Sequence, residues 1–202
     1  MERYAVEDDT LTSTRRLGQR ADTHPISAAG GAALRFLATA IEARAVVEIG
    51  TGCGSSGIWL LRGMRSDGIL TSVDIEPEYQ AFAREAYRRA GFPANRARLI
   101  HGRALDVLPR LTDGAYDMVF VDAARSEYPD YLDEALRLLR QGGVVVFNDA
   151  LAAGSLDDGP LGASDPGTMA VREVGRLVRE DERLVPLLIP AGGGLLAAIR
   201  TA

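Results

Sequence analysis

The sequence contains no lysine, since all 23 of its basic residues are arginine. Arginine stays protonated in proteins, so no lysine or arginine can act as a general base here. The single cysteine, Cys53, excludes an internal disulfide and is typical of a reducing compartment. The longest apolar runs, such as VPLLIP and VVVF, are too short to cross a bilayer, and the charged N-terminus MERYAVEDDT lacks the apolar stretch of a secretory signal. We therefore expect a cytoplasmic protein with no membrane partner.

Charge and composition exclude few other classes of protein. The net charge is −5 and there is no basic block, which argues against nucleic acid as a partner. With 202 residues and 47% apolar content, the chain is long enough for one sizeable core. We expect residues 26–202 to form a single domain. Residues 1–25 are polar and weakly patterned, and we expect a mobile or partner-bound segment with helix only at Thr10–Gln19.

Short apolar runs alternate with helical patterns along most of the chain. This alternation predicts an α/β fold of the Rossmann-like, doubly wound type, with a mostly parallel seven-stranded sheet and helices on both faces. The predicted strands are Ala45–Ile49, Ile69–Val73, Arg98–Ile100, Asp117–Val121 and Gly143–Phe147, followed by an antiparallel C-terminal pair, Leu184–Ile189 and Leu195–Ile199. The predicted helices are Ser27–Glu42, Ser55–Gly63, Glu78–Ala90, one ending at Leu111, Tyr128–Arg140 and Met169–Glu180. Residues 150–168 are rich in Gly, Asp and Pro, which predicts a functional lid or a disordered loop.

The most informative stretch is VVEIGTGCGSSG, residues 46–57. A buried strand followed at once by glycines lets the backbone approach a ligand and directs the next helix's N-terminus towards it. The glycines at 52, 54 and 57 fit the dinucleotide pattern G-x-G-x-x-G. However, Glu48 precedes the turn, and its carboxylate would lie beside a pyrophosphate, which is unfavourable. A ligand with a cationic centre and no phosphate fits this turn better.

Polar residues follow four of the five predicted parallel strands. They are Glu48, Asp74, Asp122 and the pair Asn148-Asp149, and ligands of open α/β sheets lie beyond these strand ends. Asp74 has two acceptor oxygens that suit the hydroxyls of a ribose. Ser56 and the following helix N-terminus suit an amino-acid carboxylate, and Glu48 suits its ammonium group. Together they predict a site for a nucleoside joined to an amino acid.

Residues 46–149 resemble the class I S-adenosylmethionine-dependent methyltransferases, and within them the O-methyltransferase family of the catechol and caffeoyl-CoA type. The resemblance is carried by VVEIGTGCGSSGIWL, LTSVDIEPEY, HGRALDVL, DMVFVDAARSEYPDY and LLRQGGVVVFND. It implies an enzyme that uses S-adenosylmethionine to methylate a hydroxyl of a small molecule, and it implies a homodimer. The implied cofactor-contacting residues are Ile26, Glu48, Gly50, Thr51, Gly52, Ser56, Asp74, Ile75, Gly102, Arg103, Ala104 and Asp122.

The chain departs from this family where a divalent metal is expected. Members with catechol-like substrates use an Asp after the fourth strand and an Asp-Asn pair after the fifth, with a lysine three residues beyond the first Asp as base. The ligands implied here are Asp122, Asn148 and Asp149, with the pair inverted. Inversion exchanges which side chain faces the crevice, because side chains alternate along a strand. Either the loop bends to keep Mg²⁺ or a similar cation, or the metal is lost, and the alternation favours loss.

Arg125 occupies the position of that lysine, so another group must activate the acceptor hydroxyl. The catalytic candidates are Asp122, Arg125 and His24, the last placed near the methyl end by its offset from Ile26. His24 can equally be a helix-entry residue, and Arg125 can either orient an anionic acceptor or form an exposed ion pair with Glu127. Two alternative functions remain open: a dinucleotide-dependent oxidoreductase, and a non-catalytic S-adenosylmethionine-binding protein with a degenerate metal site.

Overall fold

A seven-stranded sheet forms the centre of the molecule in a computed structural model that describes residues 4–151 and 165–202. The strand order is β3-β2-β1-β4-β5-β7-β6; β1 to β5 are parallel, and β7 is antiparallel to both β5 and β6. The predicted fold class, including the C-terminal strand pair, is confirmed. The strands are β1 Ala45–Ile49, β2 Ile69–Asp74, β3 Ala97–His101, β4 Tyr116–Val121, β5 Leu139–Phe147, β6 Leu184–Ile189 and β7 Leu195–Arg200.

Helices cover both faces of the sheet. They are α1 Asp9–Arg20, α2 Ala28–Ala40, α3 Ser55–Gly63, α4 Pro77–Arg89, α5 Ala104–Val107, α6 Tyr128–Leu138 and α7 Pro166–Glu180, with short 3₁₀ turns at Ala94–Arg96, Leu108–Arg110 and Arg125–Glu127. None of those seven helices, which lie in residues 4–151 and 165–202, has both the length and the apolar character of a membrane span.

Two hydrophobic clusters lie on opposite faces of the sheet. One packs α5, α6 and α7 against it, and the other packs α1 to α4. Successive residues of β1 point to opposite faces, so Val46 belongs to the second cluster and Val47 to the first. A strand buried on both faces reads as a continuous apolar run, which is why β1 is recognisable in the sequence.

The N-terminal segment shares the core of the domain. Leu11 of α1 is fully buried in the second cluster, next to helices α3 and α4. Arg62 of α3 pairs with Asp8, and the Tyr79 hydroxyl of α4 donates to the Ala21 carbonyl at 3.1 Å. Residues 8–21 thus pack on the domain, whereas the polar sequence predicted a mobile or partner-bound segment.

Several element boundaries differ from the prediction, and the largest differences involve α5, α6, β5 and α7. Helix α6 ends at Leu138 and β5 begins at Leu139, before the predicted Gly143, because Leu139 pairs with Tyr116 through an irregular register. The helix predicted to reach Leu111 ends at Val107 and gives way to a 3₁₀ turn containing Pro109, which lacks an N–H for a helical bond.

Helix α7 begins earlier than predicted, at Pro166. Asp165 caps it, since its Oδ1 accepts hydrogen bonds from the backbone N–H groups of Gly167 and Thr168 at 3.0 and 3.2 Å. The lid or disordered loop predicted at 150–168 falls largely on residues 152–164, which lie outside the described residues.

Candidate active site

The turn between β1 and α3 contains two glycines, Gly50 and Gly54, whose positions leave no room for a Cβ. Gly50 has φ +95°, and a Cβ there would lie 2.1 Å from the backbone oxygen of Asp122. Gly54, at φ +94°, precedes α3 and offers no side-chain cap to its first N–H groups. The start of α3 is therefore free to bind an anionic group.

Two cavities meet over this turn. The larger, of about 350 Å³, lies over the carboxyl ends of β1, β2 and β4, and the smaller, of about 30 Å³, lies against the N-terminus of α3. Thr23, Gly50, Gly52 and Asp122 line both of them. The larger cavity is lined also by Asp74, Ile75, Gly102, Arg103 and Ala104, and the smaller by Ile26, Thr51, Ser55 and Ser56. Every predicted cofactor residue except Glu48 thus lines one of the two cavities.

Asp74 lies at the end of β2 with its carboxylate held in place by the backbone. Oδ2 accepts a hydrogen bond from Gly52 N–H and Oδ1 accepts one from Glu76 N–H, both at 2.9 Å. Each carboxylate oxygen can accept more than one hydrogen bond, so both can still bind a ligand hydroxyl. The arrangement suits a vicinal diol in the larger cavity.

Glu48 does not reach either cavity, which corrects the ammonium-binding role expected for it. Its side chain is fully buried, and its two oxygens accept hydrogen bonds from Ser56 Oγ at 2.6 Å and Ser72 Oγ at 2.5 Å. Burial is the largest cause that raises the pKa of Glu48 to about 8; the two serine hydroxyls oppose the rise, and the charges of Asp122 and Asp74 add to it. Glu48 is therefore protonated at neutral pH and supports Ser56 from beneath.

Ser55 is a site residue that the sequence analysis missed. Its hydroxyl is buried, lines the smaller cavity and has no hydrogen-bond partner among the residues described. A buried hydroxyl that makes no hydrogen bond destabilises the fold, so a ligand at the start of α3 would supply the missing hydrogen-bond partner of Ser55. The only signal in the sequence was that Ser55 directly precedes Ser56 at the predicted start of a helix.

Arg103, Glu127 and Tyr131 form the outer wall of the larger cavity. Both oxygens of Glu127 are occupied, one by Arg103 and the other by the Tyr131 hydroxyl. The hydrogen bonds from Tyr131 and Arg103 lower the pKa of Glu127, which stays ionised. Glu127 is therefore not the partner of Arg125.

The predicted metal ligands lie together but are bonded to their neighbours. The Asn148 amide nitrogen donates to Asp122 Oδ1 at 3.0 Å, and Arg125 lies 3.4 Å from Asp149 Oδ2. Burial raises the pKa of Asp122 to about 7, with Asp149 adding to the rise and Asn148 and Arg125 opposing it. In the described part of the chain, no three His, Cys, Asp or Glu side chains are grouped as a metal site would require.

His24 lies away from the site. Its side chain is 73% exposed, its Nδ1 is 3.4 Å from Asp22 Oδ1, and it lines neither cavity, whereas its neighbours Thr23 and Pro25 do. A base must reach the acceptor proton directly or through one water. This conformation, with φ +47° at His24, turns the imidazole to solvent.

The family model described as O-methyltransferase matches residues 2–201. The chain belongs to the O-methyltransferase family. A Mycobacterium tuberculosis (strain H37Rv) protein named Probable O-methyltransferase is 49% identical over 194 residues, which cover 96% of this chain and 86% of that protein. The family membership confirms the resemblance seen in the sequence and excludes the dinucleotide-dependent oxidoreductase.

Solved structures of O-methyltransferases share the fold over nearly the whole chain. TomG from Streptomyces achromogenes, in complex with S-adenosylmethionine, superposes with a TM-score of 0.88 at 32% identity, covering 98% of this chain and 92% of TomG. The Bacillus cereus O-methyltransferase, in complex with S-adenosylhomocysteine, gives 0.86 at 27% identity, covering 97% of this chain and 92% of that one.

Proposed function

We propose that this O-methyltransferase transfers the methyl group of S-adenosylmethionine to a hydroxyl of a small molecule. The observation that carries the proposal is the pair of joined cavities, with a carboxylate for a diol in one and an unpartnered serine hydroxyl beside a free helix N-terminus in the other. The complexes of TomG with S-adenosylmethionine and of the B. cereus enzyme with S-adenosylhomocysteine support the same ligand.

Each part of the cofactor has a matching group in the two cavities. Asp74 would hold the ribose hydroxyls, and Ile75, Gly102 and Ala104 would enclose the adenine. Ser55 would hold the methionine carboxylate at the start of α3, with Ser56 beside it.

Asp122 takes the ammonium group in this proposal, in place of Glu48. Of the described residues, it contributes the only acidic side chain to the smaller cavity. The reactive centre would then lie where the cavities join, beside Thr23, Gly50, Gly52 and Asp122.

The cofactor supplies an electrophilic methyl group, and the residues of this chain align it with the acceptor. In an in-line displacement, orientation contributes much of the acceleration. Gly50 fixes the distance between the β1 turn and Asp122, because any side chain there would push the two apart. Ile49 and Val73 make the inner wall of the larger cavity apolar, which excludes water.

We also propose that the protein works in the cytoplasm as a homodimer on a small hydroxylated acceptor. The composition and the family resemblance support this, and light scattering after size-exclusion chromatography tests the dimer directly.

Calorimetric titration with S-adenosylhomocysteine tests cofactor binding, with NAD as the negative ligand. Formation of S-adenosylhomocysteine from S-adenosylmethionine, measured across a panel of phenols and hydroxy acids, tests the reaction. Binding without turnover on every acceptor, with and without Mg²⁺, would favour the non-catalytic alternative.

A further inference from the structure

Arg125 stands where catechol-type relatives carry a lysine, and it is directed towards Asp149. Its Nη2 lies 3.4 Å from Asp149 Oδ2, a long contact, and Glu127 is bound instead by Arg103 and Tyr131. An ion pair with Glu127 is thus not what holds Arg125. The side chain is 36% exposed, so a small molecule can reach it.

The residues expected to hold a metal do not fit a divalent cation as they are arranged. Asp122 Oδ1 faces the nitrogen of the Asn148 amide rather than its oxygen. Asp149 has φ +55°, and its Oδ1 lies against Gly193, where a Cβ would be only 2.2 Å away. Its other oxygen is paired with a permanent cation. Mg²⁺ needs several free oxygens and no positive charge in contact with them.

The guanidinium of Arg125 has donors to spare. An arginine carries five N–H groups, and the contact with Asp149 is the single hydrogen bond that Arg125 makes to the described residues. Arg125 itself lines neither cavity, but it lies in the short turn between Ala124 and Glu127, which both line the larger one. An acceptor that extends from the larger cavity past Ala124 would meet this cation.

We propose that Arg125 binds the acceptor oxygen as an oxyanion, and that methyl transfer requires no divalent cation. The acceptor is then a hydroxyl compound acidic enough to ionise before it binds, such as an electron-poor phenol or an enol. The proposal rests on the proposed function.

The reaction balances without a base on the enzyme. The acceptor oxyanion forms a bond to the methyl carbon, the bond from that carbon to the sulfonium sulfur breaks, and its electron pair stays on sulfur. The products are a neutral methyl ether and a thioether, and no proton remains to be removed. This agrees with a chain that has no lysine and whose His24 faces solvent.

The charged groups around Arg125 come from three elements. Asp122 follows β4 and would pair with the cofactor ammonium, whereas Asp149 follows β5 and competes with the acceptor for the guanidinium. Asp165, beside Gly167 of α7, has its oxygens engaged with Gly167 and Thr168. Tyr128 donates its hydroxyl to the Asn148 carbonyl at 3.0 Å.

The test uses 4-nitrophenol, whose ionised form absorbs at longer wavelength than the neutral form. It is titrated, in EDTA and below the pKa of the phenol, into enzyme saturated with S-adenosylhomocysteine. We expect the wild type to bind it as phenolate, with a red-shifted absorbance. Arg125→Met should weaken this binding about ten- to hundredfold, the usual effect of losing a charged hydrogen bond. Arg125→Lys, which keeps the charge, should weaken it less.

Controls separate folding and cofactor binding from the effect on the anion. Arg84→Met, on the exposed face of α4, should bind 4-nitrophenolate as the wild type does. Both methionine variants should keep the wild-type melting temperature and affinity for S-adenosylhomocysteine. Lack of nitrophenolate binding by the wild type, or equal binding by Arg125→Met, would overturn the inference. The proposed function fails separately, if S-adenosylhomocysteine itself does not bind.

A separate experiment tests the claim that methyl transfer requires no divalent cation. Calorimetric titration of MnCl₂ into the S-adenosylhomocysteine complex should give no binding heat, and turnover of 4-nitrophenol should be the same in EDTA and in MgCl₂. The double substitution Asn148→Asp with Asp149→Asn, which restores the family order, should gain Mn²⁺ binding. Mn²⁺ binding by the wild type, or turnover that depends on Mg²⁺, would overturn the inference.

Discussion

The buried Glu48 makes the stability of this protein depend on pH in a way that one substitution can remove. The carboxyl has no exposed surface, and burial raises its pKa from the ordinary 4.5 to about 8. Between these two values the folded state keeps a proton that the unfolded chain releases. The stability from this proton is fully present below about pH 4.5 and is lost as pH rises through about 8.

The size of the effect follows from the same numbers. Each pH unit in this range removes about 1.4 kcal/mol, so the free energy of unfolding should fall by about 4 kcal/mol from about pH 5 to about pH 8. Glu48→Gln stays neutral at every pH, and its amide can still bond both serine hydroxyls. The difference in stability between Glu48→Gln and the wild type should therefore grow in favour of the variant as pH rises.

Urea unfolding of both proteins across this pH range measures that difference. Glu78→Gln, on the exposed first turn of α4, is the matched control and should follow the wild type. Parallel stability curves for Glu48→Gln and the wild type would refute the reasoning, because they would show that Glu48 releases its proton as readily in the folded state as in the unfolded chain.

Three further substitutions test the turn, the smaller cavity and the N-terminal helix. Gly50→Ala should lower the free energy of unfolding in urea by several kcal/mol, about 1–3 from its positive φ and the rest from the clash with Asp122. Gly91→Ala, at φ +86° with nothing nearby, should cost only the φ strain. Equal losses for the two variants would contradict this reasoning. Ser55→Ala should lower the affinity for S-adenosylhomocysteine up to about tenfold in calorimetry without lowering the melting temperature, and unchanged affinity would remove Ser55 from the site. Leu11→Ala should cost about 2–5 kcal/mol, against little for the exposed Leu17→Ala, and a small loss at Leu11 would mean that α1 does not share the core.

The sheet and the glycine turn after β1 could be predicted because their signals are local in the sequence. A buried parallel strand is a continuous apolar run, and a strand followed by Gly50 and Gly52 fixes the turn. The packing of α1 was harder to predict, because its buried positions are Leu11, Thr14 and Gly18, and only Leu11 is a large apolar residue.

Side-chain direction at the site could not be predicted, because it depends on packing between distant segments. Glu48 points into the core, where the hydroxyl of Ser72 in the neighbouring strand β2 donates a hydrogen bond to it. Arg103 and Tyr131 bond both oxygens of Glu127, which leaves Asp149 as the partner of Arg125. No sequence motif indicates these pairings. Ser55 was not predicted because serine is common at helix starts for its capping role alone.

The most direct test of the cofactor site is Asp74→Ala, titrated with S-adenosylhomocysteine and with its analogue lacking both ribose hydroxyls. Two hydrogen bonds to a charged group predict a loss of roughly a hundredfold for S-adenosylhomocysteine, and Asp133→Ala, exposed on α6, should show no loss. The analogue should bind wild type and Asp74→Ala with similar affinity, because the lost contact is the one to the diol. Equal affinity of wild type and Asp74→Ala for S-adenosylhomocysteine would contradict the account.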